Sequence, residues 1–276
     1  MALSITPITN HREREKGCLV YPVYSRRSGG LSVGINLFPD QKSCPFDCPY
    51  CEVFPFSSNA KFSLKQMEDD LRAAIAAAQE RNVPVRDICF SGNGEPSLSP
   101  AFGEALKSAF LIRKEMALSA EMVLITNGAG LLQPEIFSLL KDTADSLPLN
   151  IWLKLDAGTQ EWYKKINRSG ISFEKLIAGI KEFAFLAPVT IQTMLCAIDG
   201  EGPPCDEACA WEALVCELAA TAPERIRKVQ IYGKARPAPE DPLASSLSAS
   251  YLEERAASLS RAFAEENITI QVEVYL

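Results

Sequence analysis

Three thiols within eight residues, Cys44-Pro-Phe-Asp-Cys48-Pro-Tyr-Cys51, are the side chains of this chain whose types and spacing point most directly to chemistry. No helix or strand presents that spacing on one face, whereas a Pro-rich loop folded around a metal centre does. Iron–sulfur cubes are ordinarily held by four cysteines. Three with no obvious fourth leave one iron open to a ligand that is not protein. A structural zinc knuckle is the plainer alternative, but zinc takes four ligands, commonly as two C-x₂₋₄-C pairs. No second pair with a histidine nearby supports it here. A redox-active cysteine pair would leave the third thiol surplus.

The elements that must position this loop follow a steady beat. Leu31 to Phe38 alternates as a strand and runs into the cysteines. Further strands are expected at Asp87–Phe90, Glu121–Ile125, Asn150–Leu155, Val189–Cys196, Lys228–Tyr232 and Ile268–Tyr275. Between them, helices are expected at Leu64–Arg81 (with Ser63 as N-cap), Phe102–Met116, Leu131–Lys141, Phe173–Phe185, Asp206–Ala220 and Ser250–Glu266. Residues 1–30 read as an irregular N-terminal segment and 31–276 as a single core domain. Strands alternating with helices of this length argue for parallel βαβ units, and the handedness rule leaves an open doubly wound sheet or a barrel. Polar and Gly-rich clusters follow strand after strand at the C-terminal end. In a barrel those ends converge on one mouth, whereas an open sheet uses only its switch point. The expectation is an α/β fold, a partial (βα)6 TIM-like barrel with an extra C-terminal strand.

Composition narrows the class. With 276 residues, 47% hydrophobic and 8% aromatic, the chain is an ordinary globular one. A net charge of −7 argues against broad nucleic-acid binding, which wants a basic face. The single histidine, His11, excludes histidine-rich zinc or non-haem iron sites. No N-terminal stretch resembles a signal peptide, no apolar run is long enough to span a membrane, and the nine cysteines form no secreted-type framework. A cytoplasmic location is expected.

The C-x₃-C-x₂-C spacing, with Tyr50 before the last cysteine, resembles the radical S-adenosylmethionine (SAM) superfamily. The resemblance implies that Cys44, Cys48 and Cys51 bind three irons of a [4Fe–4S] cluster while SAM chelates the fourth. It also implies reductive cleavage of SAM to a 5′-deoxyadenosyl radical, which abstracts a substrate hydrogen. Gly92-Asn93-Gly94-Glu95-Pro96 resembles the Gly-Gly-Glu segment that holds the SAM amino group in that superfamily. An ammonium wants carbonyls and a carboxylate, and glycines let the backbone approach closely; a simple turn before a helix would also use these residues. Tyr24-Ser25-Arg26-Arg27, the Gly-Asn-Gly-Glu-Pro form, and Val229–Tyr232 followed by Ala235-Arg236-Pro237 are similar to a subgroup related to the tRNA wyosine-base synthase. That synthase carries further upstream cysteines, whereas here only Cys18 precedes the triplet.

Other residues follow from strand position. Lys154 and Asp156 alternate with Leu153 and Leu155 and should face one side, to contact SAM, substrate or each other. Asn127, after the third strand, and Gln192, on the fifth, are expected near SAM. Arg26, Arg27, Lys234 and Arg236 are expected at the mouth, where arginine forks would suit an anionic substrate; salt bridges to the 35 acids are the plainer use. Cys205, Cys209 and Cys216 share a helix face, with Cys196 close in sequence. An auxiliary cluster there is weighed against small core residues. A low-potential electron donor of flavodoxin or ferredoxin type is the implied partner. A tRNA nucleoside or a small anionic metabolite is the implied substrate. The rival reading is a non-catalytic iron–sulfur electron carrier or redox sensor, with Cys18 or Cys89 as fourth ligand.

Overall fold

The computed structural model describes residues 17–235, 238, 241 and 243–276. His11, Arg236 and Pro237 lie outside them. The chain divides into two compact units, one of residues 17–44, 53–126 and 147–150, the other of 45–52, 127–146 and 151–276.

In the first unit β1 (Val20–Ser25) and β2 (Gly30–Ile35) form an antiparallel hairpin. The stretch read as irregular up to residue 30 therefore contains a strand. Its hydrophobics do not alternate strictly with polar residues, so periodicity hid it. β2 pairs in parallel with β3 (Val85–Phe90), and β3 with β4 (Glu121–Thr126). The helix α1 (Leu64–Glu80) starts where Ser63 accepts the Gln66 N–H, as its sequence predicts, and buries Met67, Leu71, Ala74, Ile75 and Ala78 at three- and four-residue spacing. In α2 (Phe102–Glu115), Phe102 meets Phe90 edge-on, ring centroids 5.7 Å apart. Each such fully buried side chain is worth about 1.5–3 kcal/mol. Polar groups of this sheet pair with one another: Ser32 of β2 donates to Asp87 of β3 at 2.5 Å, and Tyr21 of β1 shares a bond at 2.7 Å with Ser91, just past β3.

The second unit holds α3 (Pro134–Ser146), most of β5 (Leu149–Lys154), α4 (Gln160–Ile166), α5 (Phe173–Leu186), β6 (Val189–Ile198), α6 (Cys205–Thr221), β7 (Ile226–Gly233), β8 (Ala244–Ser246), α7 (Ala249–Glu265) and β9 (Gln271–Tyr275). β5, β6, β7 and β9 pair in parallel in that order, so the terminal strand joins the sheet as expected. β8 runs antiparallel to the end of β6. α4 and β8 are too short for a periodic signal and were not anticipated. The expected helix at Leu131–Lys141 is a 3-10 turn, Ala129–Leu132, followed by α3, because Pro134 cannot donate and starts the helix afresh. Parallel register aligns Lys154, Gln192, Gln230 and Glu273 in one row across the four strands.

Candidate metal and cofactor site

In the first unit β3 ends at Phe90 and the chain turns through Ser91–Pro96. Gly92 has φ of +120°, where a side chain would be strained and its Cβ would sit 2.8 Å from the Asn36 Oδ1. At Gly94 a Cβ would lie 1.9 Å from the Ser43 carbonyl oxygen. The closeness is a two-bond bridge: the Ser43 N–H donates to the Asn93 carbonyl and the Glu95 N–H to the Ser43 carbonyl, each at 2.9 Å. The residue before Cys44 is thereby stitched to the glycine loop. Asn36, fully buried, braces the same turn: its Oδ1 accepts from the Phe38 and Asn93 N–H groups at 3.2 and 3.1 Å. Asn93 in turn donates to the Phe38 carbonyl at 3.0 Å.

Glu95 is buried, and its Oε1 accepts from the Ser97 N–H, the Ser97 hydroxyl and the Thr126 hydroxyl at 3.2, 2.6 and 2.7 Å. It caps a short 3-10 turn begun by Pro96. Arg26 and Arg27 sit elsewhere. They lie in the hairpin turn at the start of β2, whereas the glycine loop follows the far end of β3. The charge of Arg27 acts on Asp87, whose carboxyl is raised by burial and only partly lowered by Ser28, Ser32 and that arginine.

In the second unit the loop carrying Cys48 and Cys51 is tightened by the Cys51 N–H on the Cys48 carbonyl at 2.9 Å. Burial, then the negative charge of Asp156, pushes the Cys48 thiol up to about 11. The Asn167 side-chain N–H, 3.5 Å from Sγ, works the other way. Tyr50 is buried and donates to Asp156 Oδ2 at 2.5 Å. Burial and then Asp156 hold its hydroxyl well above the usual tyrosine range, so it remains a neutral donor.

Lys154 and Asp156 face the same side and contact each other, Nζ to Oδ1 at 3.0 Å. The Met194 N–H adds a bond to Oδ1 at 2.8 Å and Asn167 one to Oδ2 at 3.1 Å. Lys154 also donates to the Tyr232 hydroxyl and lies about equally far from the Tyr50 and Tyr232 ring centroids, 5.0 and 4.9 Å. Burial works against its charge, but Asp156 and Tyr232 outweigh that and raise its pKa.

The remaining expected residues are dispersed. The Asn127 Oδ1 accepts the Ala129 N–H at 2.9 Å, opening the 3-10 turn. Gln192 is fully buried and donates to Gln230 at 2.6 Å. Lys234 follows β7, half-buried, its carbonyl accepting from Ser246. Arg236 is outside the described residues. Cys196 and Cys216 are buried while Cys205 and Cys209 are exposed, so the shared helix face does not give them a shared environment. Sequence reasoning missed Asn167, whose signal was the turn-like Asn-Arg-Ser-Gly of residues 167–170.

Among the described residues, no three His, Cys, Asp or Glu side chains already stand together as a metal site. The fit to a cluster and to SAM rests instead on the donor set. Three thiols share one loop, and an amide N–H is aimed at one sulfur, as an iron-bound thiolate would use it. Burial favours the neutral Cys48 thiol, so binding a metal ion there would release its proton. Glu95 offers a buried carboxylate beside a loop whose glycines bring backbone close. These residues fit both groups.

Residues 39–202, more than half of the chain, match the family model described as "Radical SAM superfamily". A UPF0026 protein of Helicobacter pylori is 26% identical over 170 residues, covering 57% of this chain and 52% of that protein. The chain thus spans about half the length of that curated relative. Three solved structures are alike in fold. A radical SAM methyltransferase from Sphaerobacter thermophilus aligns with a TM-score of 0.62 at 16% identity, over 92% of this chain and 68% of its own. Streptococcus suis SuiB bound to S-adenosylmethionine gives 0.61 at 15%, over 86% and 49%. TYW1, a wyosine synthase, with a lysine-pyruvate adduct bound, gives 0.50 at 16%, over 83% and 73%. At these identities the likeness is one of fold: α/β, of the TIM-like barrel type those enzymes share. No described helix is long and apolar enough to cross a membrane.

Proposed function

Because the chain belongs to the radical SAM superfamily, we propose that it is an enzyme that cleaves SAM reductively and uses the resulting radical to take hydrogen from a substrate. Cys44, Cys48 and Cys51 would hold a [4Fe–4S] cluster, and Glu95 with the Gly92–Pro96 backbone would hold the SAM ammonium. When bound, the cluster supplies a low-potential electron that splits the sulfonium into methionine and a 5′-deoxyadenosyl radical. The observation that carries this reading is the Ser43–Gly94 bridge, which only glycine permits and which fixes the entry to the cysteine loop on the loop that presents Glu95.

Residues 31–276 form the catalytic core in this reading, and a flavodoxin- or ferredoxin-like donor supplies the electron. The substrate is a tRNA nucleoside or a small anionic metabolite; the net charge of −7 argues against broad contact with a polyanion such as tRNA. The lysine adduct of TYW1 is not carried over to Lys154. A lysine nucleophile must lose its proton, and Asp156 holds Lys154 charged. The test is anaerobic reconstitution, reduction with dithionite and addition of SAM, with 5′-deoxyadenosine followed by chromatography. Product from the wild type and none from Cys48→Ala supports the reading. A fully loaded cluster that neither cleaves SAM nor changes its EPR signal on SAM addition returns the protein to the electron carriers.

A further inference from the structure

Three consecutive residues after α4 each hold a different part of their surroundings. The Asn167 carbonyl accepts the Asp47 N–H at 3.0 Å, and its side-chain N–H groups reach Cys48 Sγ at 3.5 Å and Asp156 Oδ2 at 3.1 Å. Arg168 pairs with Asp241, and Ser169 donates to the Pro45 carbonyl at 3.1 Å. One turn earlier, Tyr163 packs edge-on against Phe46, ring centroids 5.7 Å apart. The stretch Pro45–Cys48 is therefore gripped at successive residues by one short segment.

That grip has a conformational cost. Arg168 sits at φ of +44°, the left-handed region that non-glycine side chains avoid. Strain of this kind persists where the surroundings over-determine it, and it concentrates at functional sites. Here it turns the chain so that the residue before it faces Cys48 and the residue after it reaches Pro45. Asn167 is also buried, 3% exposed, so its amide N–H meets sulfur in a low-dielectric setting where such a bond is strong.

We propose that Asn167 is a positioning residue that sets the reduction potential of the cluster through an N–H···S bond to Cys48. The inference rests on Cys48 being a cluster ligand. Adding an electron makes the cluster more negative, so a donor on a ligand sulfur favours the reduced form, and hydrogen bonds to sulfur are among the recognised determinants of cluster potential. Asp156, whose Oδ2 takes the other N–H of the same amide, fixes the amide orientation.

The experiment compares reconstituted wild type, Asn167→Leu and Ser169→Ala by iron and sulfide content and by EPR-monitored redox titration. Asn167→Leu keeps the volume and removes the donor, while Ser169→Ala loosens the same loop and leaves the sulfur bond intact. The expected result is a midpoint lower in Asn167→Leu by a factor of about five in the reduction equilibrium, or about 40 mV at 59 mV per tenfold for one electron, with Ser169→Ala unchanged. Equal midpoints in all three overturn the proposal, as does an equal shift in both variants, which would mean that only loop rigidity matters. Deuterium ENDOR on the reduced wild type in D₂O decides the matter even if Asn167→Leu loses its fold: an exchangeable deuteron at hydrogen-bond distance supports the bond, and none refutes it. A wild type that takes up no iron fails at the cluster reading itself.

Discussion

Gly94→Ala is the sharpest perturbation available. Its Cβ would lie 1.9 Å from the carbonyl oxygen of Ser43 and 2.6 Å from the carbonyl carbon, with Phe38 at 3.0 Å. The first two contacts are backbone, so no rotamer change relieves them. Separating the two loop segments would break the bonds from Ser43 to Asn93 and from Glu95 to Ser43. Overpacking costs about 1–3 kcal/mol and each lost hydrogen bond about 1 kcal/mol, giving a loss of about 3–5 kcal/mol. Urea denaturation with the apo protein measures it, and Gly170→Ala is the control, because a Cβ there meets nothing within 4 Å. Gly170→Ala should stay within about 0.5 kcal/mol of wild type. Iron uptake should fall in Gly94→Ala, since Cys44 follows Ser43 directly and moves with it. A Gly94→Ala stability within 1 kcal/mol of wild type, with full iron uptake, would refute the reasoning (about 1 kcal/mol being the worth of a single bond).

Three further outcomes follow from the same geometry. Glu95→Gln should weaken SAM binding to the reconstituted protein by about tenfold to a hundredfold, the worth of one charge-assisted hydrogen bond; calorimetric titration showing an unchanged Kd would remove Glu95 from the site. Lys154→Met leaves Asp156 buried without its cation and should cost about 3–5 kcal/mol, part of which Asp156→Asn on the same background should restore, both read from denaturation midpoints. Asp87 binds its proton more tightly folded than unfolded, so its contribution to stability is lost as pH rises above the ordinary carboxylate value of 3.8. Asp87→Asn, which keeps an acceptor for Ser32, should therefore gain on wild type as the pH rises above 3.8, and parallel stability profiles would contradict this.

The fold was legible where period and length were strong. Ser63 and the spaced apolar residues of α1 were enough to place that helix, and the run Val189–Cys196 to place β6. The cysteine loop and the Gly-Asn-Gly-Glu segment could be read because both are defined by chemistry within a few residues. What could not be read depends on pairing partners remote in sequence. β1 is a strand because β2 folds back on it with Tyr21 lying over Gly34, where a Cβ would meet the ring at 2.2 Å. The same hairpin carries Arg26 and Arg27 away from the glycine loop. Asn167 reaches Cys48, 119 residues before it, and nothing local marks it apart from any other turn asparagine.

The strand-end charges carry a more general point about reading sites from alternation. Parity alone put Lys154 and Asp156 on one face, and a charged pair there could serve a ligand or itself. The bonding capacity decides between the two. A carboxylate has about four acceptor positions, and Asp156 fills them with Lys154, the Met194 N–H, Tyr50 and Asn167. It has nothing left to offer a cofactor directly. Two of its four partners, Tyr50 and Asn167, flank the cysteines, one by sequence and one by contact. Asp156 therefore acts at one remove, by fixing the groups that touch the cysteine loop, and the row of Gln192, Gln230 and Glu273 continues the same internally bonded pattern across the sheet. The bonds of Asp156 thus assign it to support of the cysteine loop, while the part of Glu95 is decided by SAM binding to Glu95→Gln.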